Sequence, residues 1–175
     1  MKPWLLNILA CPIDKHHPLE AYFFKWEATE ADMNKVAAEA GKPKKDREDK
    51  YKILKKQLSD GTISPFAIVA IKDITGSKAA TSLHTKVKKL LQGKPEKRED
   101  LDTLYSYMNT LELEEGLLFC PECNRWYPIG SEVEGIPELM PDELREEKKD
   151  LGWLANWKSV TPEGVLSRGK PFKLE

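Results

Sequence analysis

Two Cys-Pro turns constrain this chain more than any other feature of its sequence. Cys120-Pro121-Glu122-Cys123 sets two thiolates in one tight turn, where both can face a single tetrahedral metal ion. Far upstream, Cys11-Pro12-Ile13-Asp14-Lys15-His16-His17 supplies a second Cys-Pro turn, placed like the first after an apolar lead-in. A fold that uses both turns must bring distant parts of the chain together. Everything between them is then an excursion from one zinc-ribbon-like unit.

On this reading Cys11, Cys120 and Cys123 are three ligands of a structural Zn2+. The fourth is His16 or Asp14, the latter standing at CxxC spacing from Cys11. Both side chains bind zinc. Imidazole completing a three-thiolate site is the commoner structural arrangement, so His16 is favoured, with Asp14 the alternative and His17 behind both. Four protein ligands leave no open coordination position, so such a metal would hold the fold and do no chemistry. Two other readings compete. A dithiol redox centre normally begins a helix, and Asn124-Arg125-Trp126-Tyr127-Pro128 is a poor helix start. The thiols could also be buried residues without metal.

The chain divides into three parts. Residues 1–27 hold a short apolar turn (Trp4, Leu5, Ile8, Leu9), the first Cys-Pro turn and an aromatic strand-like run, Leu19 to Trp26. Residues 28–114 predict four or five short helices. Thr29 caps the first, and Gly41-Lys42-Pro43 stops it. Gly61 to Ile74 is the most apolar stretch and reads as the buried helix of this part. Residues 115–175 return to strand and knuckle, then to a helix from near Asp142 with Leu144, Leu151, Leu154 and Trp157 as its stripe. The fold class is therefore α+β: a small zinc-ribbon-like β domain built from both chain ends, with an inserted helical domain.

Charge bears on the partner. Lys+Arg 28 against Asp+Glu 29 leaves a formal net charge of -1, which argues against binding nucleic acid through a basic surface. The lysines from Lys42 to Lys56 are interleaved with Asp46, Glu48 and Asp49 and read as a solvated helix face. His84, on a charged helix, reads as a surface residue. No stretch is long and apolar enough to span a bilayer, and the opening residues are interrupted by Asn7 and Cys11-Pro12 where an export signal would continue. Three cysteines make no disulfide framework and point to reduced thiols and a cytoplasmic setting. The sequence has no dinucleotide or P-loop glycine motif and no nucleophile elbow, so it is read as a non-enzyme.

The string Glu115-Gly116-Leu117-Leu118-Phe119-Cys120-Pro121-Glu122-Cys123-Asn124-Arg125-Trp126-Tyr127-Pro128-Ile129, followed by Gly135-Ile136-Pro137-Glu138-Leu139-Met140-Pro141-Asp142-Glu143, resembles the Trm-type methyltransferase activator subunit. Leu5-Leu6-Asn7-Ile8-Leu9-Ala10-Cys11-Pro12 is similar to that family's N-terminus. The resemblance implies a non-catalytic protein that forms a heterodimer with S-adenosylmethionine-dependent methyltransferases and keeps them soluble and active. Those enzymes modify tRNA or a translation release factor, which this chain would meet only through its partner, with no membrane involved. Contact is implied partly by strand addition, through a patch of Arg125, Tyr127, Pro128, Ile129, Ile136, Leu139 and Met140. Eukaryotic members carry four cysteines, and here Asp14 or His16 stands where the second falls. Main-chain bonds plus alternate apolar side chains are what strand addition uses, in agreement with this segment's composition. The alternative function is a nucleic-acid-binding zinc-ribbon protein.

Overall fold

The aromatic run near the N-terminus becomes the central strand of a four-stranded sheet. The computed structural model describes residues 1–174. β1 (Glu20–Trp26) lies between β2 (Ile71–Ile74), which is parallel to it, and β3 (Leu113–Phe119), which is antiparallel; β4 (Trp126–Ile129) completes the order β2-β1-β3-β4. Seven α-helices accompany the sheet among the described residues: α1 (Glu30–Glu39), α2 (Glu48–Ser59), α3 (Pro65–Val69), α4 (Lys78–Leu91), α5 (Arg98–Thr110), α6 (Glu147–Asn156) and α7 (Glu163–Arg168). The architecture is α+β. None of the described helices is long and apolar enough to cross a membrane.

Period-two alternation in β1 covers both faces of the sheet. Ala21 and Phe23 point into a large core shared with Leu6, Cys11, Met33, Leu83, Leu104 and Tyr107. Tyr22 and Phe24 point the other way, into a second cluster where Leu117, Phe119 and Trp126 meet Trp153, Leu154, Val165 and Leu166. A central strand sandwiched in this way reads as an apolar run, as this one does from Ala21 to Phe24. Where β3 pairs with β1 opposite Phe23 only a glycine fits: a Cβ on Gly116 would stand 2.7 Å from the Tyr22 carbonyl oxygen.

Local signals account for the helix starts. Thr29 caps α1 by accepting from the Asp32 N–H, Ser64 caps α3 and Ser77 caps α4. The buried face of α4 runs Ala80, Leu83, His84, Val87 and Leu91, the spacing of a helical stripe. The α4 and α5 side chains meet across a buried polar pair, with the Tyr107 hydroxyl 2.8 Å from His84 Nδ1. Elsewhere in the helical part, Asp102 is fully buried; it accepts from the Tyr51 hydroxyl at 2.7 Å, the Gly41 N–H at 3.0 Å and Arg47 at 3.1 Å.

Three expectations are corrected. Gly61 to Ile74 is not one buried helix: α3 ends at Val69 and the chain turns into β2, so the helical part donates an edge strand to the sheet. His84 is not on the surface but only 7% exposed, because it falls on the buried stripe of α4. The last long helix begins at Glu147, not near Asp142, and buries Trp153 and Leu154, while Leu144 stays outside at 65% exposure. Residues after α7 dock as well: Lys170 pairs beside Arg125, and the Phe172 carbonyl accepts from Trp126 Nε1 at 2.9 Å.

Candidate metal centre

The pairing of β1 with β3 brings the two Cys-Pro turns together. Glu20 stands opposite Phe119, so the residues just before β1 and just after β3 share one end of the sheet. There the chain makes the same turn twice. In the first, the Cys11 N–H donates to the His16 carbonyl at 3.0 Å and the Lys15 N–H to the Cys11 carbonyl at 2.9 Å. In the second, the Cys120 N–H donates to the Arg125 carbonyl at 2.7 Å and the Asn124 N–H to the Cys120 carbonyl at 2.9 Å. Lys15 (φ 63°) and Asn124 (φ 60°) both take the left-handed conformation that closes each knuckle. Pro12 and Pro121 have no backbone N–H to satisfy at the second position and fix φ there.

Matched turns make matched stations. Asp14 in the first knuckle corresponds to Cys123 in the second, and His16 corresponds to Arg125. The four side chains Cys11, Asp14, Cys120 and Cys123 offer ligand atoms that all lie within 4.8 Å of one another. Cys11 Sγ is 3.6 Å from Cys123 Sγ, and Cys120 Sγ is 3.4 and 3.6 Å from the two Asp14 oxygens. A tetrahedral zinc with Zn–S bonds of ~2.3 Å has S–S edges of about 3.8 Å. The donor set and its spacing therefore fit a divalent cation of that kind.

His16, the favoured fourth residue, is not part of this cluster. Its role is through the backbone: the His16 N–H donates to Asp14 Oδ1 at 3.0 Å and aims the carboxylate inward. That same bond, followed by the Cys11 side chain, holds the Asp14 carboxyl well below the usual carboxylate range. The His17 ring lies 2.9 Å from the Leu9 carbonyl and is engaged there.

Burial pushes the Cys120 thiol up to about 12, and it raises Cys123 as well. Reactive dithiols carry the opposite shift. Thiols of this kind ionise when a cation takes the place of their protons. Tyr127 adds a further group that the sequence reading assigned elsewhere. Its hydroxyl, fully buried, sits 3.2 Å from Cys11 Sγ, and desolvation keeps it protonated and able to donate to a thiolate.

The proposed contact patch divides by exposure. Tyr127, Pro128 and Ile129 are buried in β4, and Arg125 is half-buried against Asp142. Ile136 is 53% exposed, beside exposed Val133, with Leu139 and Met140 half-buried on the same loop. The outer edge of β4 is engaged by the chain itself: the Trp126 N–H donates to the Lys170 carbonyl, the Gly130 N–H to the Ile136 carbonyl, and the Glu138 N–H to the Pro128 carbonyl.

A family model described as Trm112p-like protein matches residues 2–130, which span both knuckles and the whole sheet. No curated protein matches the chain.

Proposed function

The chain belongs to the Trm112p-like family, and from that membership we propose that it is a non-catalytic partner subunit of S-adenosylmethionine-dependent methyltransferases that modify tRNA or a translation release factor. It works in the cytoplasm as one half of a heterodimer, keeps its enzyme folded, and meets the substrate only through that enzyme. The observation that carries this reading is the convergence of Cys11, Asp14, Cys120 and Cys123 at one end of the sheet, all inside the family-matched residues.

Zn2+ held by these four groups is structural. With three thiolates and one carboxylate engaged, the ion staples the N-terminal turn to the β3–β4 turn and leaves no position for substrate. The organisation is that of a zinc-knuckle part, residues 1–27 and 115–175, carrying the helical excursion 28–114. The enzyme docks on the loop after β4, with Ile136, Leu139 and Met140 as its apolar contacts and Tyr127, Pro128 and Ile129 as the packed floor beneath them. Arg125, occupied by Asp142, orders the knuckle rather than reaching outward. That pairing also weighs against the nucleic-acid-binding ribbon, because it neutralises one of the two cations close to the ligands in sequence.

Capture of cytosolic proteins on the immobilised full chain tests the proposal, with metal assayed on the same sample. A methyltransferase retained by the unaltered chain and lost with Ile136→Asp and Leu139→Asp is the expected result. Recovery of RNA with no methyltransferase would overturn it in favour of the nucleic-acid-binding alternative.

A further inference from the structure

The loop that leaves β4 has outward-facing apolar side chains on a backbone that is tied down. Val133 is 59% exposed and Ile136 53%. The Gly130 N–H donates to the Ile136 carbonyl at 2.9 Å, and the Ile136 N–H donates to the Val133 carbonyl at 3.0 Å. The Gly135 N–H donates to the Glu114 carbonyl at 2.7 Å and the Glu138 N–H to the Pro128 carbonyl at 2.9 Å. Gly130 (φ 83°) and Gly135 (φ 72°) supply the two corners that only glycine takes easily. A loop ordered in this way can engage a partner without first losing backbone entropy.

One carboxylate joins the two legs of the loop. Glu138 is only 9% exposed, and each of its oxygens has its own donor: the Ser131 hydroxyl reaches Oε2 at 2.7 Å and the Glu132 N–H reaches Oε1 at 2.8 Å. Residues 131–132 are thereby fastened to residue 138 across the stretch that carries Val133 and Ile136. Lys149 of α6 also pairs with Glu132, but both side chains of that pair are solvent-facing, and exposed ion pairs contribute little. Hydrogen bonds to a sheltered carboxylate are stronger, so Glu138 is the main clamp. All of these residues follow residue 130, where the family match ends.

We infer that Glu138 is a positioning residue of the partner-docking surface: it locks residues 131–138 into one conformation and so presents Val133 together with Ile136 to the enzyme. This rests on the proposed docking of a methyltransferase on that loop. An enzyme that recognises only the ordered loop loses apparent affinity in proportion to the time the loop is ordered, so a clamp whose loss leaves it ordered about one tenth of the time costs about tenfold.

The probe is the methyltransferase recovered by capture on the unaltered full chain, titrated against purified variants. Amide exchange of the free chain at Glu132 reports directly on the clamp. Glu138→Ala removes both acceptors, whereas Glu138→Gln keeps one for the Glu132 N–H and can donate to the Ser131 hydroxyl. The expected result is binding about tenfold weaker in Glu138→Ala, with exchange quickened in residues 131–138 and still slow in β3 and β4. Glu138→Gln restores most of both. Ile136→Ala should weaken binding less in the Glu138→Ala background than alone, because the two residues act as one unit. Glu138→Ala binding as tightly as the unaltered chain overturns the proposal, and so does a fully additive loss in the double variant. Exchange quickened throughout β3 and β4 overturns it as well, since it marks a weakened fold rather than a released loop. No methyltransferase on the unaltered chain overturns the docking reading itself, a result distinct from an enzyme retained without regard to Glu138.

Discussion

Asp14 and Cys123 hold the same station in two turns closed by the same pair of hydrogen bonds. Each is three residues past a cysteine, each is followed by a residue in the left-handed conformation, and each turns its ligand atom toward the other knuckle. The carboxylate thus stands where a symmetric site would carry a thiolate.

The first prediction follows from that equivalence. Asp14→Cys completes a four-thiolate site and binds zinc more tightly than the unaltered chain. Asp14→Ala removes a ligand and weakens binding by more than the roughly 10–100-fold seen for groups that only orient ligands. His16→Ala retains the backbone N–H and leaves the affinity within a few-fold. Chelator competition on the three variants checks all three statements.

The C-terminal segment is fixed to the sheet by a buried ion pair. Arg145 is fully buried, donates to Asp150 at 2.7 Å and to the Trp126 carbonyl at 2.6 Å, and stacks over the Trp126 ring. Asp150→Ala leaves that cation unpaired and should cost about 3–5 kcal/mol, the range for breaking one side of a buried pair. Amide exchange should accelerate in α6 and α7 before it does in β1 and β3. Replacing both partners by apolar residues of similar volume should return most of the loss.

His84 makes the helical part acid-sensitive. Burial, with Lys88 nearby, lowers its pKa from 6.5 to about 4, so below pH 6.5 the unfolded chain takes up a proton that the folded chain refuses. Stability therefore falls as the pH drops from about 6.5 to about 4, by about 3 kcal/mol in all. His84→Gln cannot take up the proton. Its urea midpoint should decline less over this window than that of the unaltered chain, the two curves running parallel above pH 7.

Asp102 is the polar anchor of the helices. Removing it in Asp102→Ala deprives the buried Tyr51 hydroxyl and the partly buried Gly41 N–H and Arg47 guanidinium of their shared acceptor. A loss of about 3–5 kcal/mol in urea unfolding is expected, with the metal affinity unchanged.

Much of this architecture is legible in the sequence where one residue decides. The run Leu19 to Trp26 and the stretch Leu117 to Phe119 announce strands by composition, and Thr29 announces a helix start. β2 is hidden because Ile71 follows Phe66 to Ala70 without a break, and an apolar run alone does not separate a buried helix from a strand. His84 shares the spacing of Ala80, Leu83 and Val87, so its burial was written in the periodicity, although its charged neighbours point to solvent. The choice between Asp14 and His16 turns on backbone geometry: Lys15 in the left-handed conformation repeats Asn124, whereas ligand preference alone favours imidazole. Asp142 and Tyr127 approach the knuckle through tertiary contacts that no local spacing encodes.

The central claim is that an enzyme depends on this chain. The most direct measurement is methyl transfer from labelled S-adenosylmethionine to tRNA or release factor by the enzyme captured on this chain, produced with and without it. The account predicts a soluble, active enzyme only when the chain is present, with activity lost alongside Ile136→Asp. An enzyme equally soluble and active without the chain would contradict it.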